Sequence, residues 1–190
     1  QHHDKSMSDV FFDELGIPAP EYNLEIQGGL HGEMTGRMLA AIEEVLIKEK
    51  PDKVLVYGDT NSTLAGALAA VKLHLPVIHV EAGLRSFNRR MPEEINRIMT
   101  DHVSELLLCT SEVAINHLKA EGVFQGVHLV GDVMADINRS TREGLGDLHE
   151  LLAQFGVEPK KYILMTWHRA ENTDDSERLR SIAAAVNALS

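Results

Sequence analysis

Two short apolar runs, VLVY at residues 54–57 and VIHV at 77–80, each pass straight into a carboxylate. The first leads to Gly58-Asp59-Thr60 and the second to Glu81-Ala82-Gly83. Runs this short and this rich in β-branched residues read as strands covered on both faces, as parallel strands are. The residues between them, 62–73, are too many for a hairpin and suit a crossover helix. Thr60, Asn61 or Ser62 can cap its start, and Ala65, Gly66, Ala67, Ala69 and Ala70 allow it to lie close on a sheet. Strand, helix and strand make a βαβ unit, and in open α/β sheets ligands bind beyond the carboxyl ends of the strands. Asp59 and Glu81 therefore fall on the rim where function is expected.

The alternation continues along the chain. LLLC at 106–109 reads as a strand, Ser111 caps a helix through Ala120, and residues 127–130 form another strand. Upstream, Met38, Leu39, Ile42, Val45 and Leu46 follow the 3.6 period within an amphipathic helix over 35–50, which Pro51 ends. Residues 21–30 predict a short strand and a Gly28-Gly29 turn. After Glu81 comes a polar loop over 85–91 with three arginines. Pro92 then suits a first helical turn, and Glu93-Glu94 complement its positive end. Ile95, Ile98, Met99, His102 and Val103 predict that helix's buried stripe, with Asn96, Arg97 and Asp101 on other faces. A helix over 148–155, a strand over 162–166 leading into Trp167-His168-Arg169, and a helix from 174–176 onward complete the pattern. Repeated β-then-α order without hairpin signals predicts an α/β, doubly wound, Rossmann-like parallel sheet. A boundary near residue 133 would separate a domain over 1–133 from the start of a second over 134–190.

A chain of 190 residues, 44% hydrophobic, can bury a real core as one domain or parts of two. Its net charge of −11 argues against nucleic-acid and anionic-membrane partners, which need clustered cations. The single Cys109 excludes an internal disulfide and suits a reducing compartment. No apolar stretch approaches the ~20 residues that span a bilayer. No metal is expected, because His2 and His3 lack a His-x-x-x-His partner. The chain also has neither Gly-x-Gly-x-x-Gly nor a Walker loop.

Asp59, Glu81 and Glu93 look like acid–base equipment, which works when surroundings move the carboxyl pKa values apart. The rival roles are binding of ligand hydroxyls and, for Glu93, a helix N-terminal charge. His79 shares a strand face with Glu81 and reads as a hydrogen-bonded core residue. His168 differs in following an apolar run and in being flanked by Arg169, Glu171 and Asn172.

Four ordered motifs carry a resemblance: GDTNS at 58–62, HVEAGLR at 79–85, MPEEINR at 91–97 and WHRAEN at 167–172. With them the chain resembles the non-hydrolysing UDP-N-acetylglucosamine 2-epimerases over residues 1–189. The resemblance implies a two-domain, glycosyltransferase-B-like architecture. Family members begin with a strand and a Gly-Thr-Arg-Pro-Glu loop ahead of Gln1 and continue past Ser190, so it also implies a fragment that is inactive alone. The implied reaction inverts C2 by eliminating UDP to a 2-acetamidoglucal and adding UDP back, without a cofactor. It supplies precursors for bacterial surface polysaccharide.

The implied partners are a UDP-sugar and a second copy in a homodimer, in the cytoplasm. By this likeness Asp59, Glu81, Glu93 and His168 are catalytic, and Asn61, Arg85, Arg97, Arg169, Glu171 and Asn172 bind substrate. Arg85, Arg97 and Arg169 can hold phosphate bidentately or anchor carboxylates. SFNRRMPEEINR and GDVM equally resemble relatives acting on UDP-2,3-diacetamido-2,3-dideoxyglucuronic acid, which leaves that substrate open. A non-catalytic nucleotide-sugar-binding module is a third reading.

Overall fold

The computed structural model describes residues 8–166, 170–173 and 175–188. The chain divides into two compact units, residues 1–138 and 139–190. The first holds α1 (Asp9–Leu15), α2 (His31–Glu49), β1 (Val54–Tyr57), α3 (Asn61–Lys72), β2 (Val77–Ala82), α4 (Pro92–Val103), β3 (Leu106–Cys109), α5 (Glu112–Ala120) and β4 (Val127–Leu129). Helix α6 (Val133–Gly144) runs across the division. The second unit holds α7 (Leu148–Gln154), α8 (Ala170–Thr173) and α9 (Ser176–Asn187).

The four strands form one parallel sheet in the order β1-β2-β3-β4, with Val54 opposite Val77, Ile78 opposite Leu106 and Leu107 opposite Val127. Each strand of the sheet therefore ends at the same edge, where the expected α/β architecture puts its ligands. The small residues of α3 explain how it seats. Ala65, Ala67, Ala69 and Ala70 are fully buried, and a Cβ added at Gly66 would stand 3.3 Å from Val56 Cγ1. Its start is fixed by a reciprocal cap: Thr60 Oγ1 accepts from the Thr63 amide at 3.3 Å, and Thr63 Oγ1 accepts from the Thr60 amide at 3.2 Å. One core cluster joins Leu46, Val56, Ala67, Ala69, Ala70 and Val77; a second joins Ala82, Leu107, Cys109, Ala114 and Leu118.

Three sequence expectations are corrected. Residues 21–30 form no strand. Their polar groups are taken up by α2 instead, with Arg37 Nη2 donating to the carbonyls of Gln27 (3.1 Å) and Gly28 (2.7 Å), and Tyr22 bonded to Glu49 and Lys48. Residues 162–166 likewise pair with no strand among the described residues. Helix α4 buries a polar face that was not expected, while of the expected stripe Val103 packs against the first core cluster and Ile98 is half-buried. Glu94, Asn96, Thr100 and Asp101 are buried, whereas Ile95 is 38% and Met99 42% exposed. Hydrophobicity alone misses this face because Glu94 and Asp101 find ionic partners inside and Asn96 finds hydrogen-bond partners.

At the carboxyl end of β2 the backbone approaches α5 too closely for a side chain. Gly83 has φ +78°, and a Cβ there would stand 2.4 Å from the Ala114 carbonyl oxygen. Gly83→Ala is expected to destabilise the fold by about 2–4 kcal/mol, seen as a lower urea midpoint at unchanged slope.

Candidate active site

The site starts from two strand ends. After β1, Gly58 turns the chain at φ +63° and presents Asp59. In β2 the pairing register shifts between Val80 and Ala82, and the residue in that bulge is Glu81, at φ +68°. A left-handed conformation is costly for a residue with a Cβ, by about 1–2 kcal/mol, and such strain persists only where the surroundings enforce it. A Cβ built on Gly58 would lie 3.2 Å from Glu81 Oε2, so the Glu81 carboxylate lies over the turn that carries Asp59.

Glu81 is pushed above the usual carboxylate range, chiefly by its burial and then by the charges of Asp132 and Asp59, against the pull of His79 and Arg97. Asp132, just past β4, thus shares an electrostatic field with the other two. Sequence reasoning missed it, although the rule that selected Asp59 and Glu81, a carboxylate just beyond a parallel strand, selects Asp132 as well.

Helix α4 supplies what holds these groups. Arg97 pairs with the Asp59 carboxylate through Nη2 and with Glu94 Oε2 through Nη1 at 2.7 Å. Glu94 is 1% exposed and accepts from the Ser86 amide and hydroxyl, both at 2.9 Å, and from the Phe87 amide at 2.8 Å. Burial alone would raise its pKa, but the Ser86 and Phe87 hydrogen bonds and Arg97 outweigh it and hold the carboxyl below its ordinary value. Asn96 Nδ2 donates to the Asp59 carbonyl at 2.9 Å and to Asn61 Oδ1 at 3.1 Å, and Asn61 Nδ2 lies 3.2 Å from His31 Nδ1.

The arginines divide by environment. Arg85 has a side chain only 1% exposed. It donates to both Glu121 oxygens, to Asp101 Oδ2 and to the Leu84 carbonyl, each at 2.7 Å. Burial works against its charge, but Glu121 and Asp101 outweigh it and raise its pKa. Of the two roles open to Arg85 and Arg97, both therefore show the anchoring geometry, and Arg85 is buried in its place. Glu93 is exposed on the first turn of α4, and it is its neighbour Glu94 that reaches Arg97 and the loop. The i to i+3 spacing of Glu94 and Arg97 was the available signal. Asn172 is half-buried on α8 in the second unit. His168, Arg169 and the side chain of Glu171 lie outside the described residues. Cys109 is buried, and its thiol is pushed up to about 11 by that burial and by Asp101.

The family model described as UDP-N-acetylglucosamine 2-epimerase matches residues 1–190. The chain belongs to this family.

Among its relatives, the UDP-2,3-diacetamido-2,3-dideoxy-D-glucuronate 2-epimerase of Pseudomonas aeruginosa is 57% identical, over 100% of this chain and 53% of that protein. The UDP-N-acetylglucosamine 2-epimerase of Methanocaldococcus jannaschii is 49% identical, over 98% of this chain and 52% of that protein. A crystal structure of the M. jannaschii epimerase, in complex with UDP-GlcNAc and UDP, superposes with a TM-score of 0.90 at 48% identity, covering 97% of this chain and 51% of that one. The chain thus spans about half the length of the epimerases it matches.

The raised Glu81 pKa has a sign that stability measurements can read. A group raised on folding contributes stability below its unfolded pKa and loses it as pH rises through the folded value. Glu81→Gln is therefore expected to raise Tm by a few degrees at pH 8, with the advantage over the parent vanishing toward pH 4. Calorimetry across that range checks it, and a difference independent of pH would contradict the crowded carboxyl.

Proposed function

We propose that the protein carrying this chain interconverts UDP-N-acetylglucosamine and UDP-N-acetylmannosamine by inversion at C2, through elimination and re-addition of UDP. The observation that supports it most is the unlike setting of two carboxyl groups at adjacent strand ends. Asp59 is held by Arg97, while Glu81 is strained and raised by its neighbours. The hydrogen at C2 has no adjacent carbonyl to acidify it, so its removal is coupled to loss of the group at C1. A carboxylate takes the C2 proton as the C1–O bond to UDP breaks, leaving a 2-acetamidoglucal. UDP then returns to C1 while a carboxylic acid protonates C2 from the opposite face.

Glu81 holds a proton closer to neutral pH than an ordinary glutamate, which suits it to this exchange. In this reading Asp59 and Glu93 are the other catalytic carboxylates. His168 and Arg169 stabilise the departing diphosphate, with Glu171, Asn172 and Asn61 binding the nucleotide sugar. The M. jannaschii relative held both UDP-GlcNAc and UDP, the two species such a route needs together. In this reading the protein acts in the cytoplasm as a homodimer, and no helix among the described residues is long and apolar enough to cross a membrane.

One observation favours a second substrate. Identity to the Pseudomonas diacetamidoglucuronate epimerase is 57%, against 49% to the M. jannaschii enzyme. Exposed Arg89 and Arg90 on the loop before α4 would pair with a sugar carboxylate.

The test is turnover of each purified UDP-sugar by the full-length protein in deuterated water. Epimer carrying deuterium at C2 is expected from one of the two, with Asp59→Asn and Glu81→Gln each lowering kcat by about 100-fold or more. No epimer from either sugar would overturn the proposal.

A further inference from the structure

Behind the strand ends lies a buried pair that the reaction itself does not touch. His79 is fully buried; its Nε2 lies 2.7 Å from the Gly58 carbonyl oxygen, and its Nδ1 lies 2.7 Å from Asp101 Oδ1. The second Asp101 oxygen accepts from the Gly83 amide at 3.1 Å and from Arg85 Nη1 at 2.7 Å. Asp101 therefore grips the chain on both sides of Glu81, two residues before it in β2 through the imidazole and two residues after it, just past β2, through a backbone amide. The same imidazole holds the carbonyl of the residue before Asp59.

Between these two grips Glu81 keeps its left-handed backbone, which a residue with a Cβ adopts only under constraint. Other bonds here join the Gly58 amide to the Val80 carbonyl at 3.0 Å and the His117 imidazole to Gly83, whose carbonyl oxygen lies 2.9 Å from His117 Nδ1.

We propose that Asp101 and His79 are positioning residues for the catalytic pair: by bracketing Glu81 and tying down the Gly58 turn, they fix the Glu81 carboxyl against Asp59. This rests on the reading of Asp59 and Glu81 as catalytic. Misplacing a reacting group by about 1 Å costs on the order of 100-fold in rate. The loss belongs in kcat, because both side chains are fully buried.

The experiment uses the full-length protein, with crystal structures and steady-state kinetics on whichever UDP-sugar the parent turns over. Asp101→Ala is expected to release Glu81 from positive φ and to lower kcat about 100-fold with KM within about threefold. Asp101→Asn should restore kcat to within about tenfold of the parent. Its amide oxygen can accept from Gly83 and Arg85, and its NH2 can donate to a neutral His79. Parent-like kcat or an unmoved Glu81 in Asp101→Ala would overturn the proposal, as would Asp101→Asn no better than Asp101→Ala. Should Asp101→Ala not fold, His79→Gln keeps the donor to Gly58 and His79→Asn keeps the donor to Asp101. Each should lower kcat at least about tenfold at near-constant KM, and parent-like kcat in either sinks the idea. If the parent turns over neither sugar, the functional reading falls, and the φ of Glu81 in Asp101→Ala still decides the positioning role.

Discussion

The structure depends on charges taken inside and paired there by α4. Asp101 and Glu94, each 1% exposed, would be prohibitive in a core without partners. Each has several. Asp101 receives His79, Gly83 and Arg85, and Glu94 receives Ser86, Phe87 and Arg97. Removing one partner of such a set leaves an uncompensated buried charge, so the network constrains position strongly even where its net contribution to stability is small.

From this pairing the site follows. Arg97 reaches Asp59 with one amino group while Glu94 holds the other, and Glu94 is itself clamped by the loop that Arg85 begins. Glu81 is strained because the chain around it is held from α4, and its proton affinity is raised because burial and two neighbouring carboxylates work together. Backbone strain and an elevated carboxyl pKa at one residue are each unfavourable to the fold. Their coincidence at a strand end facing the ligand edge is the pattern expected where stability has been given up for chemistry.

Much of this was legible in the residues. Short β-branched runs ending in carboxylates point to the parallel sheet, its helical crossovers and the placing of Asp59 and Glu81; Thr60, one of three candidate caps, closes the start of α3, and Ser111 caps α5 as expected. What escaped depends on partners distant in the chain. The buried face of α4 could not be read from periodicity, because Asp101 is made tolerable by Arg85 and His79, and Arg97 reaches back 38 positions to Asp59. Residues 21–30 and 162–166 have strand-like composition, yet a strand exists only where a ladder partner does. That Glu94 rather than Glu93 pairs with Arg97 could be seen only once the facing of α4 was known.

The central claim is that Glu81 holds its proton more firmly than an ordinary glutamate, chiefly because it is buried and further because the neighbouring strand-end carboxylates Asp132 and Asp59 add negative charge. Side-chain carboxyl NMR titration of Glu81, in the parent and in Asp132→Asn, tests this most directly. The account predicts a parent pKa above the ordinary glutamate value of about 4.3, falling when Asp132 is neutralised. A Glu81 that titrates at or below that value, or that ignores Asp132, would contradict it.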